Sequence, residues 1–209
     1  MDAPTKKLPQ PLLPRGLVGR FVGWVMPLGH SAIYKRVAPV LNLQPEDDVL
    51  DVGCGAGYFL KRYASHVNSI AALDYSEVMV EMATNKHRDR IAAGTAAIVH
   101  GEASQLPWED NRFSAVTSMG SFIVFPKPLE SLKEMCRVLR PGGRAVVSIE
   151  YNAEDGKDHS KEVKNYGMSA LTEGEVRQMM EDAGFSEVSI KYDKGLGMPK
   201  MMLACGIKK

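Results

Sequence analysis

Between residues 49 and 58 the chain reads Val49-Leu50-Asp51-Val52-Gly53-Cys54-Gly55-Ala56-Gly57-Tyr58. A short apolar run ends in three alternating glycines and then opens into a helical pattern. Such a strand, turn and helix start leaves bare backbone at the carboxyl edge of a sheet, where small residues let a ligand come within contact distance of the chain. The alternative is a tight structural turn that holds nothing.

The surroundings decide what kind of sheet carries this loop. Strands are expected at Asp48–Val52, Ser69–Asp74, Ala96–His100, Ala115–Met119 and Arg144–Ile149, with later ones near Glu187–Tyr192 and Met201–Ile207 about a Gly195 turn. Helices alternate with them. One spans Tyr58–Ser65, and one is capped by Ser76 and stopped by Gly94. A third covers Pro128–Leu139, and a fourth starts at the Thr172/Glu175 capping box and ends near Gly184. Short buried strands alternating with helices build a parallel sheet covered on both faces, and right-handed crossovers make it doubly wound. The fold class is therefore α/β, a mostly parallel, seven-stranded, Rossmann-like sheet. Before it, Arg15–Leu43 shows two apolar patterns at helical spacing, separated by Pro27-Leu28-Gly29, and predicts two amphipathic helices covering the domain. Met1–Pro14, with four prolines, reads as a tail, so the chain divides into tail (1–14), cover (15–43) and main domain (44–209).

Composition narrows the class. The 209 residues are 44% hydrophobic and 24% charged, with a formal charge of +1. That suits a globular domain and gives no overall electrostatic footprint for nucleic acid. No apolar run approaches the roughly 20 residues that span a bilayer, and the start has no apolar signal segment. Cys54, Cys136 and Cys205 are too scattered for a disulfide framework or a zinc site, so no metal is expected and a cytoplasmic location fits.

The glycine pattern is G-x-G-x-G, preceded by Asp51. A dinucleotide fingerprint would need its third glycine at Tyr58, and no P-loop string occurs. A carboxylate before the glycines suits a ligand with a cationic amino group better than a pyrophosphate. Asp74, 21 positions after Gly53, ends the second strand, where an acid can accept ribose hydroxyls or simply cap a helix.

With these residues in view, the chain resembles class I S-adenosylmethionine-dependent methyltransferases from about Gln44 to the C-terminus. The resemblance rests on LDVGCGAG at Leu50–Gly57, on Ala72–Met79, on His100–Trp108, and on Arg137-Val138-Leu139-Arg140-Pro141-Gly142-Gly143 before the fifth strand. It implies S-adenosyl-L-methionine as cofactor and S-adenosyl-L-homocysteine as product. By the same resemblance, Asp51 and the backbone of Gly53, Cys54, Gly55 and Gly57 face the methionine part and the ribose. Asp74 holds the ribose hydroxyls, Tyr75 and Met79 lie beside the adenine, and Gly101, Glu102 and Ala103 form its edge. Met119 and Gly120 border the methyl group. The family often has Phe-Asp entering the fourth strand, whereas this chain has Phe113-Ser114.

Displacement at a sulfonium methyl needs no covalent enzyme intermediate, so in-line positioning with little water can carry the reaction. A general base is optional, and His30, Tyr34, Glu150 and Tyr166 stand in regions able to reach an acceptor. The Asn-Pro-Pro-Tyr motif of nucleic-acid amino-methylating enzymes is absent where Met119-Gly120-Ser121-Phe122 stands. The expected acceptor is a small, partly hydrophobic, quinone-like molecule, handled by a monomer or homodimer with no nucleic-acid partner. Two other readings stay open here, a non-catalytic S-adenosylmethionine-binding regulator and a nicotinamide-dinucleotide oxidoreductase.

Overall fold

A computed structural model describes residues 13–166, 168–193 and 201–209. Seven strands form a single sheet in the order β3-β2-β1-β4-β5-β7-β6. These are β1 (Asp48–Val52), β2 (Ser69–Asp74), β3 (Ala96–His100), β4 (Phe113–Ser118), β5 (Leu139–Ile149), β6 (Phe185–Asp193) and β7 (Met201–Lys208). The first five pair in parallel, and β7 runs antiparallel between β5 and β6. The helices are α1 (Gly16–Leu41), α2 (Tyr58–Tyr63), α3 (Glu77–Lys86), α4 (Arg88–Ala92), α5 (Pro128–Val138), α6 (Ser160–Tyr166) and α7 (Glu173–Asp182). They sandwich the sheet between two apolar clusters. One is built around Leu50, Phe113, Met135 and Ile149, the other around Val37, Val49, Phe59 and Ala72. Burial on both faces is why the central strands read as unbroken apolar runs.

Because β1 to β5 are parallel, their carboxyl ends share one edge. The strand order reverses at β1, whose neighbours are β2 and β4. An open α/β sheet binds ligands in the crevice at such a switch point. The glycine loop, Tyr75, Gly101, Met119 and Glu150 each follow directly on one of these strand ends. The opposite edge is stapled by charge. Arg144 pairs with Asp47 at 2.5 Å, and Arg140 with Asp48 at 2.5 Å. Ser114, where the resemblance would put Asp, donates to Asp47 at 2.6 Å and accepts from the Asp48 amide at 3.0 Å. The substituted residue thus ties strands together far from the crevice.

Four elements differ from the sequence expectations. The two cover helices are one, α1, running straight through Pro27. A proline inside a helix costs about 3 kcal/mol and a backbone hydrogen bond. Tertiary packing on both sides of it outweighs that: Gly23 lies against Met79 and Met82, while Ile33, Val37 and Leu41 are buried in the core. The helix begun by Ser76 breaks at His87, whose ring turns inward to the carbonyl of Gly57 at 3.0 Å. Strand β5 starts early, at Leu139, and Pro141-Gly142-Gly143 bulges out within it, so that Phe113 pairs Leu139 but Ala115 pairs Arg144. The polar stretch Asn152–Asn165, whose composition alone predicts a solvated loop, contains most of α6, and its first residue, Asn152, is buried in a bridge to Leu171. The Ser76 cap and the Thr172/Glu175 capping box form as expected. Met201 and Met202 are core residues, while Met198 and the Gly195 turn lie outside the described residues.

Candidate active site

The loop after β1 turns on three left-handed glycines, Gly53 (φ 76°), Gly55 (φ 52°) and Gly57 (φ 71°). Side chains rarely tolerate that geometry. The amides of Gly53 and Cys54 both donate to the carbonyl of Leu73, at 2.7 and 3.1 Å, which draws the loop against the end of β2. A Cβ at Gly53 would meet Ser121 at 2.5 Å, so the glycine also admits the loop that follows β4. Ser121 Oγ donates to the Gly53 carbonyl at 2.8 Å. Ser121 therefore braces the loop, a role no spacing in the sequence signalled.

Two carboxylates flank the glycines. Asp74 is fixed by backbone donors: the Gly55 amide reaches Oδ2 at 2.8 Å and the Ser76 amide reaches Oδ1 at 2.9 Å. Asp51 is only 1% exposed, and its Oδ1 has no hydrogen-bond partner among the described residues. Burial first, and then the nearby Asp74 charge, push its carboxyl up to about 8. A buried acceptor of that kind is costly when left alone, so its environment favours an incoming cation or donor. Cys54 is inert by the same logic: burial and the two carboxylates push its thiol upward, away from the reactive thiolate.

The remaining expected contacts divide. Tyr75 is exposed, with its ring 6.0 Å from that of His100. The Gly101 amide donates to the Asp74 carbonyl at 3.1 Å, Glu102 is exposed, and Ala103 packs against the core. These four rim the same end of the crevice as Asp74. Met79 is buried and turned toward α1, where a Cβ at Gly23 would lie 2.6 Å from its terminal methyl. Met119 is buried at the end of β4.

Helix α1 crosses the top of this edge. A Cβ at Gly55 would touch Met26 Sδ at 3.4 Å, and one at Gly120 would lie 3.3 Å from the His30 ring. His30, Tyr34 and Phe59 follow as an aromatic series with centroid spacings of 6.1 and 5.8 Å. Burial lowers the His30 pKa, which favours the neutral ring, and burial followed by the Asp51 charge raises that of Tyr34. Below His30, the Gly120 amide donates to Ser148 Oγ and to Glu150 Oε1, both at 3.1 Å, and Ser148 Oγ donates to the same Oε1 at 2.5 Å. Glu150 Oε2 is buried without a partner among the described residues, and burial pushes this carboxyl up to about 7. His30 and Glu150 thus meet at Gly120. Tyr34 stands on the Asp51 side. Tyr166 ends α6, and its side chain lies outside the described residues.

Ser121, Ser148 and His87 are the contributors that sequence reasoning missed, and Met26 was expected only as part of the cover at 15–43. Ser148 was reachable, since a strand residue two before Glu150 shares its face. Met26 and His87 carry no signal of their own. No group of three His, Cys, Asp or Glu side chains able to hold a metal ion occurs among the described residues.

Comparison with known proteins identifies the family. A family described as a methyltransferase domain matches residues 50–147. A demethylmenaquinone methyltransferase of Bacillus cereus is 30% identical over 190 residues, covering 78% of this chain and 79% of the relative. One from Staphylococcus saprophyticus is 36% identical over 120 residues, covering 56% of this chain but only 50% of its own length. The fold is shared with geranyl diphosphate C-methyltransferase of Streptomyces coelicolor, at a TM-score of 0.73 and 14% identity, covering 97% of this chain and 89% of that one. It is shared too with the YcgJ protein of Bacillus subtilis, at 0.70 and 17%, covering 86% and 99%. By its glycine loop, its paired carboxylates and its relatives, this chain belongs to the class I S-adenosylmethionine-dependent methyltransferases.

Proposed function

We propose that the protein transfers a methyl group from S-adenosyl-L-methionine to a small, quinone-like acceptor. The observation that carries this reading is a pair of buried carboxylate oxygens without partners among the described residues, Asp51 Oδ1 and Glu150 Oε2, one in β1 and one just after β5 at the same edge of the sheet. The first fits the cationic amino group of the cofactor. The glycine backbone leaves room for its methionine part, and Asp74 keeps lone pairs for ribose hydroxyls beyond the two amides it already accepts. When bound, the sulfonium supplies an electrophilic methyl, and the product is S-adenosyl-L-homocysteine.

The protein's own work is positioning and proton management. Met26 and His30 close the edge over Gly55 and Gly120, which excludes water and lets in-line placement lower the barrier. Glu150, with a carboxyl near neutrality, is the group able to take a proton from an acidic hydroxyl or ring position of the acceptor. Its Oε1 is held by Ser148 and Gly120, so Oε2 is the free acceptor. The B. cereus and S. saprophyticus relatives support the acceptor class, since both are named for demethylmenaquinone.

The test is direct. Calorimetry is expected to show S-adenosylmethionine and S-adenosylhomocysteine binding, with NAD and NADP inert. Methyl-labelled donor is expected to label a reduced demethylated naphthoquinone. Donor binding without label on any quinol would overturn the acceptor, and no donor binding would overturn the enzyme reading.

A further inference from the structure

Helix α1 has a second face that the site does not use. Leu17, Phe21, Trp24 and Leu28 are 84, 63, 67 and 81% exposed. At about 100° per residue these four fall within an arc of roughly 60°, opposite Gly23, Met26, His30 and Val37, which face the domain. Val18 is exposed beside them, and Phe21 and Trp24 pack as a tilted pair at 6.4 Å. Large apolar side chains gathered in one stripe on a helix surface mark an interaction site. Along the same face Lys35 continues the line, exposed.

The formal charge of the segment that carries the stripe identifies the occupant. Residues 1–45 hold six of the 26 lysines and arginines, namely Lys6, Lys7, Arg15, Arg20, Lys35 and Arg36, and only one of the 25 acids, Asp2. That is a surplus of +5, in a chain whose total is +1 and whose remainder is net negative. Arg20 is paired with Glu81 at 2.5 Å, which anchors α1 to α3. An aromatic and aliphatic face inside a basic, nearly acid-free segment is the pattern of a helix that lies in a membrane interface. No helix among the described residues is long and apolar enough to cross a membrane. We infer that α1 docks the protein on an anionic lipid surface through Leu17, Phe21, Trp24 and Leu28, with the bilayer against its outer face and the active-site edge beneath its inner face.

The inference deepens the proposed function, because a lipophilic acceptor dissolved in the bilayer would then meet the pocket across a single helix. It rests on that reading only for its purpose. The experiment is vesicle co-sedimentation of the full chain with phosphatidylglycerol/phosphatidylcholine vesicles and with pure phosphatidylcholine, beside calorimetric donor binding. Expected results are partition into the anionic vesicles, a blue shift of tryptophan emission, and weaker partition as salt rises from about 0.1 M to about 1 M, where the Debye length falls from ~10 Å to ~3 Å. The double variant Phe21→Glu/Leu28→Glu is expected to lose at least about tenfold in partition, since each change removes buried apolar area and adds repulsion, while its donor affinity is unchanged. Wild-type protein left in the supernatant with anionic vesicles would overturn the docking surface, as would a double variant that partitions equally. A dimer by light scattering that the double variant splits, without vesicle binding, would assign the stripe to a second copy instead. In each of these cases unchanged donor binding leaves the methyltransferase reading standing.

Discussion

The amide of Gly55 donates to Oδ2 of Asp74 across 2.8 Å, joining the middle of the glycine loop to the end of the neighbouring strand. The carboxylate therefore shapes the loop, beyond the ribose contact proposed for it. Asp74→Ala is expected to weaken donor binding by more than the loss of ribose hydrogen bonds alone, which contribute about 1.5–3 kcal/mol each to a charged acceptor. Asp74→Asn keeps one acceptor for Gly55 and is expected to fall between the two. Calorimetry on folded variants checks this, and equal donor affinity in all three proteins would remove Asp74 from the site.

Asp51 gives a stability prediction with a definite sign. Its folded carboxyl is pushed up to about 8, chiefly by burial, against about 3.9 in an unfolded chain. Between those values the unfolded state has released a proton that the folded state retains, so this group lowers stability as pH rises. Asp51→Asn is therefore expected to raise the melting temperature of the ligand-free protein at pH 8, by roughly 2–4 °C per kcal/mol recovered, with little change at pH 4. The same variant is expected to lose most donor binding. A melting temperature that drops at pH 8 would contradict the assignment of a buried, strained carboxyl.

Donor affinity of the wild type is expected to climb from about pH 6 to about pH 7.5. Ionisation of Asp51 creates the anion that meets an ammonium group, whose own proton is retained below roughly 7.7. Titrations in buffers of different ionisation heat would show a proton released on binding. Affinity that is flat across the range would mean Asp51 is already ionised or uninvolved.

On the proposed mechanism, Glu150 acts on the rate rather than on donor binding. Its carboxyl is pushed up to about 7 by burial, so turnover is expected to rise with pH through that value. In Glu150→Gln the limb should vanish and turnover should fall by about 10²–10⁴-fold, the usual worth of a general base. Donor affinity should hold. A variant that keeps both its rate and its pH profile would exclude Glu150 as the base.

Shortening the chain tests the cover provided by α1, and the structure sets where to cut. Pro14 accepts a hydrogen bond from Ser76 Oγ at 2.5 Å, while Ile33, Val37 and Leu41 belong to the core. Removal of residues 1–12 is expected to leave donor binding intact, whereas a cut through Val40 would expose Phe59 and unfold the domain. The informative substitutions are Met26→Ala and His30→Ala, which open the roof without touching the core. Each is expected to lower turnover several-fold while the melting temperature moves by only a few degrees. Unchanged turnover in the pair combined would show that the pocket is closed by other elements.

The alternation of apolar strands and helices, the glycine spacing and the capping residues determined the sheet, its helices and the carboxyl edge that holds Asp51, Asp74 and Glu150. Those features act locally, through backbone geometry and period, and a single chain displays them directly. The continuity of α1 through Pro27 was decided elsewhere, because burial of Gly23 against Met79 and of Val37 in the core outweighs a local helix breaker. The same holds for His87, which left its helix to hold Gly57 thirty positions earlier, and for Met26 and His30 over the glycines. Contacts between residues far apart in sequence have no period to read. Which carboxylate oxygens would be left without partners, and so where chemistry can occur, emerged only when every neighbouring donor had been placed.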